Sequence, residues 1–302
     1  MKRPDIIERL RDFPYPRSEY WIITGGAMVL YGIREETGDV DMGCTSAMAD
    51  CLEAEGHPSK RMANGNRSFQ IGDEIEIFEN WLCGTVVRLD GIPVISIDGL
   101  VEIKRQLGRE KDLRDIELIE RYRSARAEAI QMIGIRKASI TDLDTDAVVN
   151  AANEGLRAGS GVCGAIFDAA GKARLQAACD RIGHCDTGSA VITPGFGLRA
   201  KYIIHAVGPV WAGGDRGEAE LLYGAYARSL ELAKENGCRS VGFPLISAGI
   251  FGYPTEEAWD VALRACIDFL AAGNRMEVVF AVLSERNHAL GSQALRKLAD
   301  QP

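Results

Sequence analysis

The chain has 302 residues, enough for about two domains of roughly 150 residues each. Hydrophobic residues make up 46% and charged residues 26%, a globular composition that excludes collagen-like and disordered chains, and no apolar run reaches the ~18–20 residues a bilayer crossing needs. With 35 Lys and Arg against 43 Asp and Glu the net charge is −8, which disfavours a general polyanion-binding surface; an anionic ligand must be held locally.

In chain order, the apolar period Ile6, Ile7, Leu10, Phe13 predicts a helix that stops at Pro14 and Pro16. Trp21-Ile22-Ile23 predicts a strand, Thr24-Gly25-Gly26 a glycine turn, and Ala27–Tyr31 a helix. A short strand at Asp39–Met42 is followed by a helix over about 46–55. Phe69–Ile71 and Ile75–Phe78 alternate as strands do, with Asn64-Gly65 as a hairpin turn before them. After Ile92–Ile97, one long polar helix begins near Asp98 and runs past Tyr122, and the domain boundary is set after it, giving domains 1–126 and 127–302. From there apolar runs at Ala147–Val149, Ala190–Thr193, Tyr202–Val207, Ser240–Phe243 and Val278–Leu283 alternate with helical stretches at 165–179, 218–236 and 255–272. Strands that take turns with helices imply an α/β sheet covered on both faces.

The N-terminus enters a charged amphipathic stretch with no apolar leader, so a cytoplasmic protein with no membrane partner is expected. The eight cysteines form no CxxC pair, which fits reduced thiols, and the spacing of Cys179, His184 and Cys185 matches no usual zinc ligand set.

In the second region glycines cluster after two predicted strands: Gly155, Gly159, Gly161 and Gly164 after the first, Gly249 and Gly252 after Phe243. Ligands of open α/β sheets sit at the carboxyl ends of strands, and glycine lets backbone N–H groups approach a phosphate, although tight turns use glycine as well. Four blocks, Asp146–Asn153, Gly159–Gly171, Ile204–Pro209 and Phe243–Gly252, together resemble the macrodomain family in order and spacing. The resemblance implies a three-layer α/β/α module that binds ADP-ribose and often hydrolyses ADP-ribosyl bonds on protein, nucleic acid or a metabolite. It implies that Asn153 touches the distal ribose hydroxyls, as an amide that both donates and accepts can, with a turn residue as the plain alternative. Asn150 is a ligand contact or a helix cap. Gly159, Ser160, Gly161 and Val162 would form one phosphate loop, and Ser247, Ala248, Gly249, Ile250, Phe251 and Gly252 the other, with Phe251 against the distal ribose.

Two positions depart from the family's pattern. Where macrodomains usually carry an Asp that accepts from the adenine amino group, this chain reads Ala138-Ser139-Ile140, so that role passes to Ser139, Asp142 or a backbone group. Ten positions after Asn153, where the family's mono-ADP-ribosyl hydrolases place an Asp, stands Cys163. A thiol with an ordinary pKa near 8.5 is a poor base at neutral pH, so water activation would fall to a substrate phosphate or to Asp168. His205, in a strand, is expected as a packed core histidine.

In the first region Asp39 and Asp41, at i and i+2 of a strand, point to one face and could present two carboxylates to Mg²⁺, with Glu76 as the third acid and Asp73 and Glu74 as fallbacks. With Gly25-Gly26 and Tyr31–Arg34, this pattern resembles the nucleotidyltransferase superfamily of polymerase-beta-like fold. The segment Gly99–Asp115 looks like the helix that closes that site in bacterial, toxin-related members. The resemblance implies a smaller α+β domain using a nucleoside triphosphate, with Gly25 and Gly26 against the triphosphate and Lys104, Arg109 and Lys111 facing its phosphates; the alternative is a solvated charged helix. The expectation for the whole chain is an ADP-ribosyl hydrolase fused to an Mg²⁺-dependent nucleotidyltransferase. The alternative is a non-catalytic ADP-ribose reader, or an antitoxin-like neutraliser, on a degenerate transferase scaffold.

Overall fold

A computed structural model describes residues 1–89 and 91–300, Asp300 by its backbone alone. The chain divides into two compact units, Met1–Arg123 and Ser124–Pro302.

The first unit is built on a mixed seven-stranded sheet. Its strands are β1 (Tyr20–Ile22), β2 (Val40–Cys44), β3 (Ser59–Arg61), β4 (Arg67–Ile71), β5 (Ile75–Glu79), β6 (Val86–Leu89) and β7 (Ile92–Ile95), in the order β3-β4-β5-β2-β1-β7-β6. β2 and β5 run parallel, with Asp41 opposite Glu76. Helices α1 (Arg3–Arg11), α2 (Thr24–Tyr31), α3 (Ser46–Ala54) and α4 (Ile97–Leu107) contribute Ile6, Met28, Met48 and Leu100 to a core shared with Ile22, Met42, Phe69 and Ile77. The Thr24-Gly25-Gly26 segment, expected as a turn, is the first turn of α2. The single long helix expected from Asp98 is two: α4 ends at Gly108, whose φ of 61° is left-handed, and α5 (Glu110–Gln131) restarts after Arg109. Glycine reaches that conformation without a Cβ clash and so ends the helix where the charge pattern alone continues. The division between the units falls inside α5.

The second unit is a six-stranded sheet of β8 (Ile133–Lys137), β9 (Ala147–Ala151), β10 (Ala190–Pro194), β11 (Tyr202–Ala206), β12 (Ser240–Phe243) and β13 (Glu277–Val282), ordered β10-β11-β9-β12-β13-β8. All neighbours pair in parallel except β10, an antiparallel edge. The helices are α6 (Gly161–Ala170), α7 (Lys172–Ile182), α8 (Glu218–Glu235), α9 (Thr255–Ala271) and α10 (Glu285–Asp300). Because strand side chains alternate faces, Val149, Ile204, Phe243 and Phe280 pack with α8 and α9 residues such as Tyr226 and Trp259. Val148, Ile203 and Val279 pack on the other face with Ile166, Phe167 and Leu175 of α6 and α7. Two cores flanking one sheet make three layers, a mixed α/β/α architecture. The helix expected over 165–179 is broken at Gly171 into α6 and α7.

Candidate functional site

The parallel strands β9, β12, β13 and β8 all end on one edge of the sheet, and a groove of about 560 Å³ lies across their carboxyl ends. Three strand spacings give it a length of about 14 Å, the scale of a dinucleotide rather than of a single sugar.

Past β9 the chain reaches Gly159, Ser160, Gly161, Val162 and Cys163, which line the groove as they enter α6. Ser160, the residue before the helix, makes no side-chain cap, so the first N–H groups of α6 are left for an external acceptor. The turn is held close to the helix because Gly164 has no side chain: a Cβ there would lie 2.8 Å from the carbonyl oxygen of Gly159.

Past β12 comes the second loop. Tyr253 N–H donates to the Ser247 carbonyl (3.1 Å) and Gly252 N–H to that of Gly249 (3.0 Å), which closes a tight hoop. Among the described residues, the N–H groups of Ala248, Gly249 and Ile250 have no partner. Ser247, Ala248, Gly249, Ile250 and Phe251 line the groove; Gly252 closes the hoop without lining it. Ser247 is buried in a left-handed conformation (φ 63°), and its Oγ has no hydrogen-bond partner. The two loops bring together what the sequence analysis expected as a phosphate cradle, made of backbone donors.

Asn153 lines the same end, but its amide already clamps a turn: Oδ1 accepts from Arg157 N–H (3.0 Å) and Nδ2 donates to the Arg157 carbonyl (2.8 Å). One lone pair and one N–H remain for a ligand. Asn150 is placed differently from the expectation of a ligand contact. It is 1% exposed and lies beneath the groove, where Nδ2 reaches His205 Nδ1 (3.1 Å) and Cys163 Sγ (3.7 Å). The reason is β-strand alternation: Asn150 belongs to β9 itself and its side chain turns into the protein. His205, as expected, is a core residue, and burial drives its pKa down to about 4.

At the far end, past β8 and β13, the lining includes Ser139, Ile140, Leu283, Ser284 and Asn287. Asp142 is exposed and does not line it. Among the described residues no Asp, Glu, Lys, Arg or His lines the groove anywhere; Asp168 is exposed on α6, away from it. Ser284 and Asn287 escaped the sequence reading because they belong to the start of α10, a helix it did not place.

In the first unit, Gly25 and Gly26 are buried against protein: Cβ atoms there would meet Thr37 Oγ1 at 2.5 Å and Ile22 Cγ2 at 2.9 Å. Close packing, not an open phosphate seat, accounts for both glycines. Lys104 is 3% exposed and sits between Asp115 (2.7 Å) and Asp112 (3.3 Å), while Arg109 Nε is 2.6 Å from Asp112. Lys104 thus faces carboxylates of α5, because a buried charge left unpaired would be costly, whereas half-exposed Arg109 pairs with Asp112 at the surface. Lys111 is exposed. Asp41 accepts from the Thr24 hydroxyl; burial pushes its carboxyl above the usual range, and so it does for Glu76 beside it. Asp39 lies just before β2 and is exposed. Among the described residues no group of three His, Cys, Asp or Glu side chains is placed to hold a metal, so Asp39, Asp41 and Glu76 are not assembled as an Mg²⁺ site here.

The sequence profile of the Macro domain family matches residues 149–262. A Macro domain-containing protein of Chlorobaculum tepidum is 49% identical over 160 residues, which span 53% of this chain and 92% of the relative. The chain belongs to the Macro domain family. An O-acetyl-ADP-ribose deacetylase of Salmonella typhimurium is 47% identical over 171 residues, covering 55% of this chain and 95% of that protein. Among solved structures, the Oceanobacillus iheyensis macrodomain with ADP shares 39% identity at a TM-score of 0.53, covering 56% of this chain and 92% of that one. A Trypanosoma brucei macrodomain in complex with ADP-ribose shares 36% at 0.52, covering 55% and 71%. The macrodomain matches account for little more than half of the chain, and they lend no support to a nucleotidyltransferase in the first unit.

Proposed function

We propose that the groove of the macrodomain binds ADP-ribose and that the protein hydrolyses ADP-ribosyl esters of the O-acyl kind. The observation that carries the reading is the pair of backbone cradles, the uncapped start of α6 and the partnerless N–H groups of Ala248, Gly249 and Ile250, on residues that line one groove in which no described side chain is charged. Backbone N–H groups at a helix start suit a diphosphate. Asn153 offers its spare donor and acceptor to the distal ribose, and Phe251 an apolar face. The relative named as a deacetylase supports the ester as substrate.

In this reading water adds to the acyl carbon, the bond from that carbon to the ribose oxygen breaks, and the proton ends on the released ribose hydroxyl. Among the described residues no lining side chain is a carboxylate or imidazole, and His205 serves Asn150 and Thr193 instead. The ligand's own phosphate is therefore the group that orients the water. The same lack of a base favours a second reading, a binding module or antitoxin-like neutraliser without turnover. Calorimetric titration with ADP-ribose tests the binding; release of acid from O-acetyl-ADP-ribose tests the chemistry. A parent that binds but is silent, and gains turnover on Cys163→Asp, would favour the second reading.

For the first unit we infer a nucleotidyltransferase-like role only as a separate reading, supported by the in-register carboxylates Asp41 and Glu76. The charge of Asp41 adds to burial in raising the Glu76 carboxyl, so the two acids act on one another. Mg²⁺-dependent nucleotide transfer that survives Asp41→Ala with Glu76→Ala would exclude that site.

A further inference from the structure

The two glycine loops occupy the β9 and β12 end of the groove, so a ligand whose diphosphate lies there must place its base at the β13 and β8 end. Apolar surface is available to the ring faces there from Ile140 and Leu283, the latter 72% exposed. The polar side chains at this end are the hydroxyls of Ser139 and Ser284 and the amide of Asn287. Two of the three are already engaged. Ser139 Oγ shares a hydrogen bond with Thr141 Oγ1 (2.7 Å), and Ser284 Oγ accepts from Asn287 N–H (3.1 Å) as the start of α10. The side-chain amide of Asn287 makes no hydrogen bond to any described residue, and it is half-buried against the groove.

We propose that Asn287 reads the edge of the base, and that through it the site accepts purines with an exocyclic oxygen as readily as purines with an exocyclic amino group. The inference rests on the ADP-ribose reading above and adds a substrate class to it. The physical reason is the symmetry of the primary amide. Adenine presents a donor (the amino group) beside an acceptor (a ring nitrogen); hypoxanthine presents an acceptor beside a donor. An amide pairs with the first through its oxygen and one N–H, and with the second after a half-turn about its last side-chain bond. Sites discriminate strongly when a wrong ligand leaves a fixed polar group unpaired. Neither purine leaves one of these side chains unpaired, because the amide can turn and a hydroxyl engaged once, as Ser139 is with Thr141, can still serve a second partner.

The test is a pair of calorimetric titrations of the full chain, with ADP-ribose and with inosine diphosphate ribose, repeated on Asn287→Ala. The expected result is two affinities within tenfold of each other, both weakened at least fivefold by the substitution. A parent that prefers either ligand by tenfold or more overturns the proposal, as does a variant whose affinities fall by less than fivefold. Alanine favours helix at this position, and an unchanged thermal midpoint certifies that the variant is folded. Should neither ligand bind the parent, the ADP-ribose reading itself fails; should ADP-ribose alone bind, only the present inference does.

Discussion

Nδ2 of Asn150 donates to Nδ1 of His205 across 3.1 Å. With Nδ1 an acceptor, the one imidazole N–H sits on Nε2, where it donates to Thr193 Oγ1 at 2.9 Å. Both ring nitrogens are thus used by the neutral form, and burial holds the pKa down to about 4.

A stability dependence on pH follows. Unfolded, this histidine takes a proton near pH 6.5; folded, it stays neutral to about 4. Stability is unaffected above pH 6.5 and is lost as pH falls from there towards 4, because only the unfolded chain gains the proton. Between pH 7.5 and pH 5 the loss from this one group is about 2 kcal/mol. The carboxyls held below their ordinary range, Asp146 and Glu218 among them, act only under more acid conditions. Urea unfolding at the two pH values should show the difference for the parent and a difference smaller by that amount for His205→Gln.

Ser247 combines a left-handed backbone with a buried, partnerless hydroxyl. Glycine removes both penalties at some cost in unfolded-chain entropy. Ser247→Gly is expected to raise stability by about 1 kcal/mol while weakening ADP-ribose binding, because the hoop loses its fixed shape. Denaturant melts and calorimetry on the same samples separate the two effects; a variant that binds as tightly as the parent would remove Ser247 from the site.

Gly164→Ala would push a methyl group against the Gly159 carbonyl, a backbone atom that cannot step aside alone. The first cradle must then open by several tenths of an ångström. Weakened hydrogen bonds to a charged phosphate predict an affinity loss of about tenfold or more, with helix content by circular dichroism unchanged.

Lys104 neutralises two carboxylates that are themselves 0% and 3% exposed. Lys104→Met would leave Asp112 with Arg109 and Asp115 with Arg34, but would strand negative charge between them. The expected cost is about 3–5 kcal/mol, read as early loss of the first unit in urea, with ADP-ribose binding retained.

The strands of the macrodomain were legible because Ala147–Val149, Tyr202–Val207 and Val278–Leu283 are apolar on both faces, as central parallel strands must be. The glycine loops were legible for a different reason: they stand directly after such strands. Helix α10 was not, since Gly291 within it reads as a breaker. In the fold that glycine admits the Trp259 ring, 2.5 Å from where its Cβ would lie. Losing α10 hid Asn287 as well. Strands β3 and β6 carry exposed residues such as Lys60 and Val86 and lack a buried face to announce them. In the first unit Lys104 was expected to face a phosphate and instead meets Asp112 and Asp115, because spacing alone cannot say whether a lysine meets a phosphate or a neighbouring aspartate.

A groove lined by no cation among the described residues, on a chain of net charge −8, has a kinetic consequence. An incoming diphosphate is repelled at long range and held only at contact, so dissolved electrolyte, which shortens the repulsion and leaves short-range dipoles intact, speeds capture rather than slowing it. A capture rate that holds or rises as salt is added is the expected signature of such a site.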